Sequence, residues 1–132
     1  MSDITLQVVK RRLPLLGVAA AVVALGLAAR YGLWGPWAKY GGVALWATEA
    51  YVMVLLVRPT LAVRDAAIWA LAVSWGVELF QLTGAPAWLS SHHILLRLIF
   101  GTTFHGLDLP AYAAGVALGA AGHWLWRARF GS

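Results

Sequence analysis

Four apolar runs, separated by short polar breaks, set the rhythm of the chain. The first, Leu13 to Ala29, carries no charge and follows Lys10, Arg11 and Arg12. The second extends from Tyr40 to Val57 and stops at Arg58 and Pro59, as a helix does where it meets the interface. The third, Ala66 to Leu82, is broken by Gly84 and Pro86. The fourth, Leu109 to Trp126, has Pro110 in its first turn and Asp108 placed to cap it. A helix needs about 20 mostly apolar residues to cross a bilayer. The pattern therefore predicts an all-α polytopic membrane protein, one transmembrane domain over residues 1–132 with spans at 13–29, 40–57, 66–82 and 109–126.

A longer segment, Ala85 to Leu107, separates the third and fourth runs. Its apolar middle, Ile94 to Phe100, is interrupted by Arg97 and is too short to cross. An interfacial helix or a re-entrant turn is expected there. The first run resembles a cleavable leader, a basic stretch before a short apolar core with Leu27, Ala28 and Ala29 at its end. Three further runs at similar spacing favour its retention as a span.

Composition supports the bilayer as solvent. Hydrophobic residues make up 61% of the 132 positions and charged residues 11%, against about 25% charged in soluble domains. The formal net charge is +5. The basic residues lie between apolar runs, where they act as topology signals and lipid contacts. No basic–aromatic pattern of nucleic-acid recognition accompanies them. Seven of them (Lys10, Arg11, Arg12, Arg58, Arg64, Arg127, Arg129) fall on one side of the predicted bundle and three (Arg30, Lys39, Arg97) on the other. The positive-inside rule makes the first side cytoplasmic, with both termini. Five of the eight Trp residues fall near span ends, as in an aromatic belt, whereas Trp46, Trp69 and Trp75 sit deeper. The absence of cysteine excludes disulfides, thiolate catalysis and Cys-based metal sites.

The candidate chemistry lies in acidic residues inside the spans. A charge at a span centre costs roughly 2.5–3.5 kcal/mol on insertion scales, so Glu49 and Glu78 need a reason to be there. At 100° per residue, Ser74, Glu78 and Gln81 share a narrow arc of the third span. On the fourth, Asp108, Tyr112, Gly115, Gly119 and Gly122 lie along one face. Gly115 to Gly119 forms a small-xxx-small motif that admits another helix backbone. With the assigned topology, Glu78, Gln81, Asp108 and Tyr112 should meet near the outer leaflet. Arg97 would be an anion contact there, and His92, His93 and His105 lie nearby in sequence. Glu49, if it faces the bundle, could meet Glu78, and two close carboxylates favour a shared proton. No HExxH spacing or other metal motif is present, and no nucleophile accompanies the carboxylates. No cofactor or catalytic residue is assigned.

Several short motifs resemble a known family: Tyr40-Gly41-Gly42, Leu45-Trp46-Ala47, Glu78-Leu79-Phe80-Gln81-Leu82, Phe100-Gly101, Phe104, and Asp108-Leu109 with Ala111, Tyr112 and Gly115. Together they resemble the small bacterial membrane proteins grouped as domain of unknown function 2809, which in turn look like VanZ-type proteins. The resemblance runs from about Arg30 to Gly122. The pattern leads one to expect an Asp after the glycine of the second span, where Val43 stands, and an Arg near Ser91, for which Arg97 is the available cation. The resemblance implies a multi-pass protein of the bacterial inner membrane with a role in the cell envelope. Three roles follow for the polar residues. The first is an outward-facing pocket for a lipid head group or amphiphile, built from Glu78, Gln81, Arg97, Asp108 and Tyr112. The second is a proton-coupled carrier using Glu49 and Glu78. The third is a helper subunit whose polar stripe mediates assembly. An intramembrane enzyme with Glu78 or Asp108 as base ranks below them. Expected partners are membrane lipids and a second copy or another membrane protein, not nucleic acid.

Overall fold

The computed structural model describes residues 3–32, 35–83, 88, 91–95, 97, 106 and 108–130. Its long helices are α1 (Asp3–Gly32), α2 (Pro36–Val57), α3 (Val63–Phe80) and α4 (Asp108–Phe130), and a 3-10 turn (Gln81–Thr83) extends α3. α1 and α4 overrun their apolar runs at both ends, α2 and α3 begin ahead of theirs, and the last two residues of the third run fall in the 3-10 turn. Helical hydrogen bonding does not stop where hydrophobicity stops, so α1 continues through Lys10–Arg12 and α4 through Arg127 and Arg129. Three of the four, over Val9–Gly32, Ala38–Val57 and Val63–Thr83, are long and apolar enough to cross a membrane. Of α4, with 23 residues, the length suffices at 1.5 Å per residue. This helix is not among the three that are apolar enough, and it carries Asp108, Tyr112, His123, Arg127 and Arg129. Of the expected interfacial or re-entrant segment, 85–107, only residues 88, 91–95, 97 and 106 are described.

α2 is the hub, packed against α1, α3 and α4, while α3 also packs against α4. The surface is inverted relative to a soluble protein. Large apolar side chains such as Leu16, Leu25, Ile68, Trp69 and Leu125 are exposed, whereas Thr48, Ser74, Glu78 and Asp108 are buried. In water such an exterior would aggregate; in lipid it is the favoured solution, because hydrocarbon rejects the polar groups and accepts the apolar ones.

The helix ends sort into two groups. The Arg12 guanidinium donates to the Leu56 carbonyl at 2.7 Å and to that of Val57 at 3.3 Å. Arg127 donates to the Leu61 carbonyl at 3.4 Å. These contacts bring the start of α1, the α2–α3 turn and the end of α4 together. All seven basic residues that the sequence put on one side are therefore at one end of the bundle. The end of α3 and the start of α4 are at the other.

Candidate functional site

The buried residues of α3 are Ala66, Ala70, Ser74 and Glu78, spaced by four, so they form a single stripe. The first two are small enough to let neighbouring helices approach. Ser74 is satisfied within its own helix, its hydroxyl donating to the Ala70 carbonyl at 2.8 Å. The stripe ends on Glu78, which is 0% exposed. About 15 residues of helix separate Val63 from Glu78, or roughly 22 Å of rise. Glu78 thus lies deep toward the end of the bundle remote from the basic residues.

Facing it, α4 buries Asp108, Tyr112, Gly115 and Val116. The Tyr112 hydroxyl donates to Glu78 Oε2 at 2.9 Å. The Trp46 ring meets Tyr112 edge-on, with ring centroids 5.7 Å apart, which fixes the phenol from the α2 side. The Trp75 indole donates to the Leu109 carbonyl at 3.1 Å, tying α3 to the first turn of α4. Gln81 is half-buried in the 3-10 turn, less than one turn beyond Glu78, and Asp108 is buried as the first residue of α4. The structure therefore gathers Glu78, Gln81, Asp108 and Tyr112 where the two helices end and begin.

Below this cluster the α2–α4 seam is close-packed. A Cβ built on Gly115 would run into the backbone of Ala44, and one on Gly119 would come within 2.8 Å of the Tyr51 ring. The Thr48 hydroxyl donates to the Gly115 carbonyl at 2.8 Å across the seam. The small-xxx-small motif is thus a helix–helix contact, and its partner is α2.

Other expected members stand elsewhere. Arg97 is exposed, and among the described residues it forms no ion pair with Glu78 or Asp108; its backbone N–H donates to the His93 carbonyl at 3.2 Å. His92 and His93 make local contacts, the first with the Trp88 carbonyl at 2.8 Å and the second accepting the Leu95 N–H at 3.0 Å. His105 lies outside the described residues. Among the described residues no hydrogen bond joins Glu49 to Glu78. Gly41 and Leu45 face α1: a Cβ built on Gly41 would lie 3.7 Å from the Cβ of Ala29, and one built on Gly26 would lie 3.7 Å from that of Leu45. Glu49 continues that face one turn beyond Leu45, whereas Glu78 faces α4. Glu49 is half-buried, and its Oε2 is buried with no hydrogen-bond partner among the described residues.

Two contacts had no advance signal strong enough to find them. One is Thr48 with Gly115, which looks in sequence like any hydroxyl inside an apolar run. The other joins Tyr51 and His123. The Tyr51 hydroxyl is 2.7 Å from His123 Nδ1 and 3.4 Å from the Val63 carbonyl. A tyrosine buried in one span and a histidine near the end of another are the hints that could have been paired. His123 is half-buried against α2.

A helix bundle with an apolar exterior and a buried, hydrogen-bonded carboxylate defines an α-helical membrane protein. The chain belongs to the family described as Protein of unknown function (DUF2809), whose model matches residues 33–116. The matched stretch runs from the start of α2 to Val116 and so contains Glu49, Glu78, Asp108 and Tyr112, but not α1. No curated protein and no solved structure matches the chain.

Proposed function

We propose that this is a multi-pass protein of the bacterial inner membrane, acting in the cell envelope, that binds the head group of a lipid or other amphiphile at its outward-facing end. The basic end lies in the cytoplasm on this reading, since cytoplasmic loops carry the excess of Lys and Arg. The likeness to VanZ-type proteins supports the envelope role. The observation that carries the proposal is the burial of Glu78 with Tyr112 donating to it, beside Asp108 and Gln81. Acidic side chains that deep in an apolar bundle are costly and mark function by default. On this reading Glu78, Gln81, Asp108 and Tyr112 hold the head group's donors, and Arg97, exposed in the connecting segment, is the anion contact for its phosphate. Two carboxylates favour a head group bearing N–H or O–H donors.

The test is native mass spectrometry of the full chain released from nanodiscs of matched acyl composition. Phosphatidylethanolamine, whose ammonium donates, should be retained over phosphatidylcholine, whose quaternary ammonium cannot. The preference should vanish in Glu78→Gln and Asp108→Asn. Equal retention of the two lipids by the unaltered chain would refute the pocket.

Glu49 favours a second reading, a small proton-coupled carrier, because its Oε2 is buried without a hydrogen-bond partner among the described residues. Glu49 and Glu78 would then handle protons from separate faces of the bundle rather than as a shared pair. Proton uptake by proteoliposomes should fall in Glu49→Gln; unchanged uptake removes Glu49 from that role.

A further inference from the structure

α1 and α4 both lean on α2 and have little direct contact with each other. Between them, toward the basic end, lies a groove of about 790 Å³. Its floor is apolar, formed by Leu15 and Val18 of α1, Val52 and Leu55 of α2, and Leu118 and Trp126 of α4. Its mouth is basic, with Lys10, Arg11 and Arg127 on the rim. From Lys10 to Val18 on α1 is about 12 Å, and from Phe130 to Leu118 on α4 about 18 Å, at 1.5 Å per residue. That depth matches one hydrocarbon leaflet, about half of 30 Å. The polar pair of Tyr51 and His123 also lines the wall.

We propose that this groove holds one anionic phospholipid, an acyl chain lying between α1 and α4 and the phosphate at Lys10, Arg11 and Arg127. The site is at the end opposite the Glu78 cluster, shares no residue with it, and stands whether or not that cluster binds a ligand. Charge complementarity selects the occupant. A cationic rim over an apolar slot one leaflet deep suits a negatively charged head on a hydrocarbon chain, and among the described residues no acidic side chain lines the groove. Gly122 marks why the slot exists. A Cβ there would meet nothing within 4 Å, in contrast to Gly115 and Gly119 higher on the same face. A larger residue at 122 would enter the space assigned to the acyl chain.

The full chain is delipidated in detergent and titrated with dioleoyl phosphatidylglycerol or dioleoyl phosphatidylcholine, with adducts read by native mass spectrometry. One phosphatidylglycerol should bind at lower concentration than phosphatidylcholine. Lys10→Gln with Arg11→Gln, both exposed in the structure, should weaken phosphatidylglycerol by about 10- to 30-fold, at roughly 1 kcal/mol per basic residue, and leave phosphatidylcholine unchanged. Gly122→Leu should weaken both lipids while helical circular dichroism and melting stay at the unaltered value. If Gly122→Leu fails to fold, the rim variant decides alone. Equal binding of the two lipids, an unaltered phosphatidylglycerol affinity in the rim variant, displacement by millimolar inorganic phosphate alone, or a lipid-free dimer filling the groove would each overturn the assignment.

Discussion

The two halves of α4 use the same small-residue spacing to opposite ends. In the first half, Tyr112, Gly115 and Gly119 close onto α2 and α3 until a single Cβ at Gly115 would strike the backbone of Ala44. In the second half the next glycine in the stripe, Gly122, is exposed and meets open space within 4 Å. What differs is the facing surface. Opposite the first half stand the backbone of Ala44, Thr48 and the small side chains of α3. Opposite the second, α1 stands off, and among the described residues no helix covers the gap. A run of glycines thus allows close approach without ensuring it; the neighbouring helix decides.

The sharpest break in the comparison concerns the two ends. The chain has no cysteine, so single replacements report cleanly. Thr83→Cys, in the turn after α3, should react with a membrane-impermeant maleimide on intact cells. Thr60→Cys, in the α2–α3 turn, should react only after permeabilisation. Reactivity of both from outside would undo the assigned orientation.

Next in size is Gly115→Leu. The side chain has no room against Ala44, and overpacking of about 3 kcal/mol or more should leave no folded, monodisperse protein in detergent, as read by size exclusion. Recovery at the unaltered yield would mean that the seam is looser than described. Tyr112→Phe removes the donor to a buried carboxylate and should cost about 1–3 kcal/mol in unfolding experiments. A cost near zero would show that the hydroxyl is replaceable. Thr48→Val exchanges a hydroxyl for a methyl of similar size and loses one interhelical hydrogen bond. About 0.6 kcal/mol is expected, the usual value for such bonds between membrane helices, with a shift above about 2 kcal/mol pointing to a larger repacking of the seam.

Much of this was legible in the sequence because hydrocarbon is an unforgiving solvent. A Glu and a Ser four residues apart in one apolar run, and an Asp and a Tyr four apart at the start of the next, fix two inward faces, and the alternating direction of successive spans puts them at a common depth. The seven-to-three division of basic residues placed the helix ends correctly relative to one another. Helix boundaries were less legible, since the helices run on through Lys10–Arg12 and Arg127 after the apolar signal has ended. The fate of Glu49 was not legible either. α2 has neighbours on several sides, so an inward residue can face α1 or α4, and spacing alone does not choose. The groove was hidden for a related reason. Lys10, Arg11 and Arg127 read as topology signals one by one, and only the gap between α1 and α4 makes them a rim.

The central claim is that α3 and α4 turn their polar side chains toward each other away from the basic end. A double-mutant cycle on Glu78→Gln and Tyr112→Phe, measured by unfolding in bicelles, tests it most directly. A coupling of about 1 kcal/mol or more is the predicted result. Strict additivity of the two substitutions would contradict it.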